Sequence, residues 1–170
     1  MIDSLLSASN IYRLGEGLGI TLFVSFVSIG LSIVFGSLIG LCMLMRSVLV
    51  RVVCRLYLEF VRIVPILALL YVCYFGLPQA MDIHINNIFV GILVFSLWGS
   101  AGMADLVRGA FSSISNHQRE SALSLGLNWI KTQIFVILPQ ATTRLIPGSI
   151  NLFTRIIKTT SLLLFIGVGD

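Results

Sequence analysis

LGITLFVSFVSIGLSIVFGSLIGLCMLM, Leu18 to Met45, runs for 28 residues without a charged side chain. A helix rises 1.5 Å per residue, so ~20 apolar residues cross the hydrocarbon of a bilayer, and this stretch exceeds that length. The rest of the chain has the same character. Hydrophobic residues make up 57%, charged residues 11%, and mean hydropathy is +1.02, whereas an ordinary soluble domain carries ~25% charged residues. The chain therefore reads as an all-α integral membrane protein, and 170 residues leave room for four or five spans without a separate soluble domain. Gly36 and Gly40, four apart in the first span, form a small-xxx-small pair that lets another helix approach closely.

Working outward, four transmembrane helices are expected in a single domain covering 1–170, at about 18–45, 56–77, 88–110 and 140–157. A C-terminal stub follows, Leu162 to Val168, too short to cross by itself. Arg46, Arg51, Arg55, Glu59 and Arg62 recur at three- to five-residue spacing, so they share one helical side at the start of the second span. Pro65 is expected to bend that span, and Pro78 and the polar residues to Asn87 to close it. Arg46, Arg51, Arg55 and Arg62 lie in the first connection, the second (Pro78 to Asn87) has no basic residue, and Arg108, Arg119, Lys131 and Arg144 lie in the third. Positive residues stay in the cytoplasm, so the amino terminus is expected outside and the third connection inside.

Several chemistries are disfavoured. Cys42, Cys54 and Cys73 lie in or beside apolar segments without metal-ligand spacing and read as small hydrophobes. The net charge of +4 comes from basic residues beside membrane segments and not from a stripe, which argues against nucleic acid. The start of the chain lacks the pattern of a removable signal peptide. Gly15, Gly17 and Gly19 have no preceding strand, and no phosphate-binding loop occurs, so ATP is not expected to bind here. His84 and His117 read as solvated or interfacial residues, and no nucleophile, base and orienting group recur at useful spacing.

Gln140 to Ser161 differs from the other spans. Thr142, Thr143, Arg144, Asn151, Thr154, Arg155, Lys158, Thr159, Thr160 and Ser161 interrupt its apolar background, and Pro147-Gly148 is expected to weaken the helix. Each charge in lipid costs ~2.5–3.5 kcal/mol on insertion scales, so this segment should line a wet cavity or face another subunit. Lys158-Thr159-Thr160-Ser161 is the expected break, where freed backbone groups and hydroxyls meet a substrate.

Glu120 to Pro139, ESALSLGLNWIKTQIFVILP, is a polar and amphipathic island between two apolar segments. It reads helix, break at Gly126, then a second helix from Leu127 to Leu138 that ends before Pro139. Glu120 is expected near the amino end of the first helix, where the dipole favours it. With this polarity the unit must sit at the membrane surface.

Glu120-Ser121-Ala122, Gly126 and Val136-Ile137-Leu138-Pro139 resemble the cytoplasmic coupling loop of ABC-importer permeases, a Glu-Ala-Ala pattern followed by Gly and then Ile-x-Leu-Pro. Ser121 stands for the usual middle Ala and Val136 for the usual Ile. The remainder is similar to permeases for polar amino acids such as histidine, arginine or glutamine. Glu59 to Leu67 resembles their Phe-x-Arg-Gly-Thr-Pro-Leu-Leu stretch, with Ile63-Val64 in place of Gly-Thr. Asp105, Arg108-Gly109, Ser113-Ile114, His117 to Glu120, Leu138 to Ala141 and Lys158 to Leu163 follow in the family's order.

The resemblance implies a permease subunit that forms the pathway for polar amino acids in the bacterial inner membrane. Its partners would be a cytoplasmic ABC ATPase, which binds the ATP, a second permease copy or paralogue, an extracytoplasmic substrate-binding protein and membrane lipid. Glu120, Ser121, Ala122, Gly126, Leu138 and Pro139 would couple to the ATPase. Asp105, Arg62, Lys158, Thr159, Thr160 and Ser161 would belong to the substrate pathway, Arg62 and Asp105 as a pair. Members of the family continue with a further span where this chain offers a stub. The alternative from another class is a truncated, non-transporting membrane protein or helix-assembly partner, which would need neither Glu120 nor Gly126.

Overall fold

The computed structural model describes residues 8–81 and 85–166, and every regular element among them is helical. His84, Val168 and Asp170 lie outside the described residues. Helix α1, Ala8–Cys42, leads to α2, Val48–Ile63. Then come α3, Ile66–Tyr71, a wider π-type turn at Val72–Gly76, and α4, Leu77–Met81. The long α5 spans Asn87–Ser112, capped by Asn86, whose side chain accepts from the Ile88 N–H at 2.8 Å. Short helices α6, Asn116–Ser124, and α7, Trp129–Thr132, precede a second π-type turn at Gln133–Ile137. Helix α8, Leu138–Thr159, tightens into a 3₁₀ segment at Thr160–Ile166.

Residues 64 apart meet between α1 and α5. Ser28 Oγ reaches the Ile92 carbonyl at 3.5 Å and Ser32 Oγ the Ser96 carbonyl at 3.5 Å. A Cβ added at Gly36 would lie 2.8 Å from the Ser100 carbonyl oxygen, and one at Gly40 would lie 2.7 Å from that of Ala104. Both numbers rise together, so the two helices are parallel, and a stripe of Ser28, Ser32, Gly36 and Gly40 lies against every fourth carbonyl of α5. The small-xxx-small expectation holds, and the stripe is twice as long as the glycine pair. Gly99 completes it from the other side, since a Cβ there would collide with Ser32 Oγ.

Two neighbouring parallel helices require the chain between them to return. Helices α1 (from Gly15) and α5 are long and apolar enough to cross a membrane, and the return is a broken pair, Val48–Ile63 and Ile66–Gln79, bent by 98°. The bend at Pro65 is thus near a right angle, where the sequence indicated one bent span at 56–77. Counting the pair as one, three segments meet the length and hydropathy requirement.

The expected fourth span does not meet it, because its polar side chains lower its hydropathy, yet α8 follows α5 along most of its length. Gly148 lies against Leu106, Leu152 against Gly102, Ile156 against Gly99 and Leu163 against Gly91, an antiparallel register. Pro147 does not break α8, and Gly148 serves close packing instead. Helix α5 is therefore the central element, with Val94, Phe95, Ala101 and Ala104 fully enclosed. Cys73 packs in that core beside Leu70 and Val90, as the small hydrophobe it was read to be.

Pro139 also departs from expectation. The helix resumed after Gly126 does not end before it but runs on into α8. Proline has no N–H and its ring crowds the carbonyl four residues back. The preceding π-type turn absorbs this, with the Leu138 N–H bonding to Gln133 O, five residues back. Leu77 N–H to Val72 O does the same before Pro78.

Replacing Gly36 by valine is expected to cost at least about 1–3 kcal/mol through overpacking, because its neighbours are Met103 and the α5 backbone. Gly30→Val, where nothing lies within 4 Å of the added Cβ, should leave thermal stability of the detergent-solubilised protein unchanged. Equal losses in both variants would refute the close-approach reading.

Candidate functional site

The loop between α5 and α8 is closed at two levels. At the end of α6, Leu127 N–H bonds to Ala122 O at 3.2 Å and Gly126 N–H to Leu123 O at 2.9 Å. This paired arrangement needs a left-handed residue after the helix, and Gly126 supplies it at φ +82°. Ala122 is buried under the turn. Asn128 then caps α7, its side chain accepting from the Lys131 N–H at 2.9 Å.

At the base, Ile114, Ile137 and Ala141 form a small buried cluster. Arg144 Nη1 donates to the Ser113 carbonyl at 2.6 Å and meets Ser113 Oγ at 2.8 Å, and Gln140 Nε2 donates to Gln118 Oε1 at 3.2 Å. Hydrophobic burial and charge-assisted bonding thus join the start of the loop to its exit.

Within this frame Glu120 and Ser121 are exposed, as are Leu138 and Pro139 at the start of α8. Glu120 is not at the amino end of its helix. Helix α6 begins at Asn116, so Glu120 lies beyond the first turn, where the dipole effect has faded. The outer surface instead carries Leu123, Leu125, Trp129 and Ile130, with Leu125 83% and Trp129 68% accessible. Leu125 is the most exposed of the large apolar residues among those described. The sequence does not single these outer residues out, because an amphipathic pattern does not say whether its apolar side is covered.

Of the expected pathway residues, two meet. Arg62 Nη1 contacts Asp105 Oδ2 at 3.0 Å, and Arg108 Nη2 contacts Asp105 Oδ1 at 2.7 Å, so each carboxylate oxygen takes one guanidinium. The expected Arg62–Asp105 pair is present, with Arg108 as a third member.

Lys158 to Ser161 lies elsewhere. With Ile156 beside Gly99, this stretch is level with α5 residues some nine positions before Asp105, roughly 14 Å along the axis at 1.5 Å per residue. Lys158 and Ser161 are exposed, while Thr160 is buried and accepts from Ser25 Oγ at 3.3 Å, which makes it a packing residue. The helix changes from α to 3₁₀ at Thr160, so the expected break is a tightening and not an unwound stretch. Thr154 and Thr159 return their hydroxyls to carbonyls four residues back, at 2.8 and 2.7 Å. Arg155, one of the polar residues that set this segment apart, sits 5.8 Å from the Trp98 ring centroid, a cation–π arrangement.

The described residues thus form a helical bundle with a closed loop and one polar helix. The family described as binding-protein-dependent transport system inner membrane component matches residues 32–170, and the chain belongs to that family. It is 37% identical over 155 residues to the probable amino-acid ABC transporter permease protein YckA of Bacillus subtilis, covering 91% of this chain and 68% of that protein. It is 33% identical over 156 residues to the glutamine transport system permease protein GlnP of Escherichia coli, covering 91% and 71%.

Among solved structures, an amino acid ABC transporter crystallised with histidines matches with TM-score 0.87 and 26% identity, over 95% of this chain and 75% of that one. The inward-facing MetNI methionine ABC transporter shares the fold at TM-score 0.74 and 17% identity, over 92% and 76%. The permease reading holds, and the alternative of a non-transporting membrane protein is not favoured. The family is a transport component of the bacterial inner membrane that works with an ATPase and a substrate-binding protein.

Reversing Asp105 alone (D105R) should destabilise the protein, because three guanidiniums would then crowd one site. The double variant R62D/D105R should recover only part of that loss, since Arg108 keeps no carboxylate in its former place. Coupling of about 0.5–1 kcal/mol is expected for such part-exposed charges, and a double-mutant cycle on thermal unfolding reads it. Strict additivity would show that Arg62 and Asp105 are not coupled.

Proposed function

We propose that this chain is the permease subunit of an importer for polar amino acids, and that its Glu120 to Pro139 loop docks onto the cytoplasmic ATPase. The observation that carries the docking role is the closed loop, held by the Gly126 turn and the Arg144–Ser113 clamp, which presents Leu125 and Trp129 outward. Such an element moves as one piece with the ends of α5 and α8, so ATP-driven closure of the partner passes into the bundle as helix motion. Glu120 and Ser121 form the polar part of the docking face and Leu125 and Trp129 the apolar part, while Ala122, Gly126, Leu138 and Pro139 set its shape.

The substrate path follows the exposed polar face of α8 and the 3₁₀ segment after it, with Asn151, Thr154, Lys158 and Ser161, and a second copy or paralogue closes the opposite wall. Lys158 meets a substrate carboxylate, and the Arg62–Asp105–Arg108 triad sets the field nearer the cytoplasm. The assignment to polar amino acids is supported by the names of the relatives and of the structural neighbour. In this arrangement the amino terminus is outside, α8 is the fourth crossing, and a binding protein delivers substrate from the outer side.

Gly126→Pro replaces a φ of +82° with one near −65° and removes a turn hydrogen bond. It should leave the bundle inserted while abolishing ATPase co-purification, and Leu125→Asp should weaken that association at least about tenfold, the loss of one buried contact of about 1.4 kcal/mol or more. Both are read by pull-down of the detergent-solubilised complex and by substrate-stimulated ATPase activity. Wild-type association in both variants would rule out docking through this loop.

A further inference from the structure

We propose that the arginine-lined cavity between α2 and the inner end of α5 holds the phosphate of an anionic membrane lipid. The cavity measures ≈ 370 Å³ and is lined by Arg51, Arg55, Glu59, Arg62, Asp105 and Arg108, with Met43 and Leu58 behind them. That volume falls within the ~300–1,000 Å³ of ordinary small-molecule sites. Four guanidiniums face two carboxylates, leaving two positive charges in excess.

The internal pairing leaves many donors over. Each guanidinium carries five N–H groups. Arg55 meets Glu59 through Nε at 2.9 Å, and Arg62 and Arg108 each give Asp105 one nitrogen. Arg51 Nη2 donates to the Met45 carbonyl at 3.2 Å. The remaining N–H groups form a concentrated set of planar donors, the chemistry that binds a phosphate in forked fashion.

Helix α2 points to a lipid as the source of that phosphate. It has three sides. Leu58 and Val61 are buried against α5, while Val52, Leu56, Phe60 and Ile63 are exposed on the side facing away. The arginines occupy the edge between these two sides, as helical spacing requires. A membrane lipid satisfies both surfaces at once, its chains along the apolar side and its headgroup turned over the edge into the cavity. The 98° bend before α3 sets α2 apart from the spanning direction, as for a helix lying at the interface. Basic pockets between membrane helices on the cytoplasmic side have this use. The proposal rests on the cytoplasmic placement of this end of the bundle but not on coupling, because lipid binding is measured without transport.

The test is native mass spectrometry of the full chain in detergent, titrated with phosphatidylglycerol, with phosphatidylcholine and with inorganic phosphate. Wild type should take phosphatidylglycerol at least about tenfold more tightly than phosphatidylcholine, and R51Q/R55Q should weaken it about 10- to 30-fold, two surface arginines being removed. R51K/R55K should recover only part of the loss, because an ammonium restores the charge without the planar fork, and Arg46→Gln, outside the cavity, should change binding less than about threefold. Both replaced arginines are exposed, so a single species with wild-type circular dichroism is expected for every variant.

Equal affinity for the two lipids, or an equal loss in the Arg46 variant, would overturn the proposal. Inorganic phosphate binding as tightly as phosphatidylglycerol would reassign the cavity to a soluble anion and overturn the lipid source. Unchanged lipid binding together with lost ATPase association in R51Q/R55Q would assign the arginine edge to a protein partner and overturn it equally.

Discussion

The small residues of α1 lie directly against the backbone of α5, and the remaining architecture follows from that contact. In lipid no hydrophobic force draws two apolar helices together, so their association rests on dispersion, weak hydrogen bonds and close backbone approach. The stripe of Ser28, Ser32, Gly36 and Gly40 permits that approach over four turns, each residue lying against a carbonyl of α5. Because the pairing is parallel, the chain between the two helices has to travel back, and Val48–Gln79 does so as a broken helix turned at Pro65. The other side of α5 then has room for α8, admitted by Gly91, Gly99 and Gly102. One glycine-bearing helix thus holds two neighbours of opposite direction and very different polarity.

The polarity of α8 makes sense within that frame. Its buried side, with Ala141, Ser149, Leu152 and Ile156, is small or apolar and packs on α5, while its threonines, Asn151, Arg155 and Lys158 occupy the remaining surface. Several of the hydroxyls are satisfied by the helix's own carbonyls, which lowers the cost of carrying them in a weakly polar setting. Arg155 covers its charge with the face of Trp98. The loop joining α5 to α8 has the opposite composition: a polar segment with its large apolar groups outside. Since Ser113, Ile114, Ile137, Ala141 and Arg144 bind its two ends together, a force on the loop acts on both helices.

Much of this was legible in the sequence. The charge-free run from Leu18, the left-handed glycine at 126 and the close approach permitted by Gly36 and Gly40 all appear in the structure. These are local properties. Transfer of a side chain to lipid, the φ that only glycine adopts freely and the reach of a long side chain are set by residue type and short spacing. Expectations failed where two effects competed over distance. Pro139 and Pro147 were read as ends or weak points, but a π-type turn and the packing of Gly148 on Leu106 carry the helix through them.

The sequence by itself determined that the chain is a helical membrane protein with a polar surface loop broken at Gly126, because each of those conclusions depends on composition or on one residue's backbone. Only the tertiary structure decided that α1 and α5 run parallel in a register of 64, that α2 lies nearly perpendicular to the helix after it, that Thr160 is buried against Ser25 while Lys158 is open, and that Arg144 locks the loop to Ser113. Apart from the turn after α2, each of these joins residues tens of positions apart. The energy that selects them comes from shape fit and single hydrogen bonds between distant segments, and no window along the chain contains both partners.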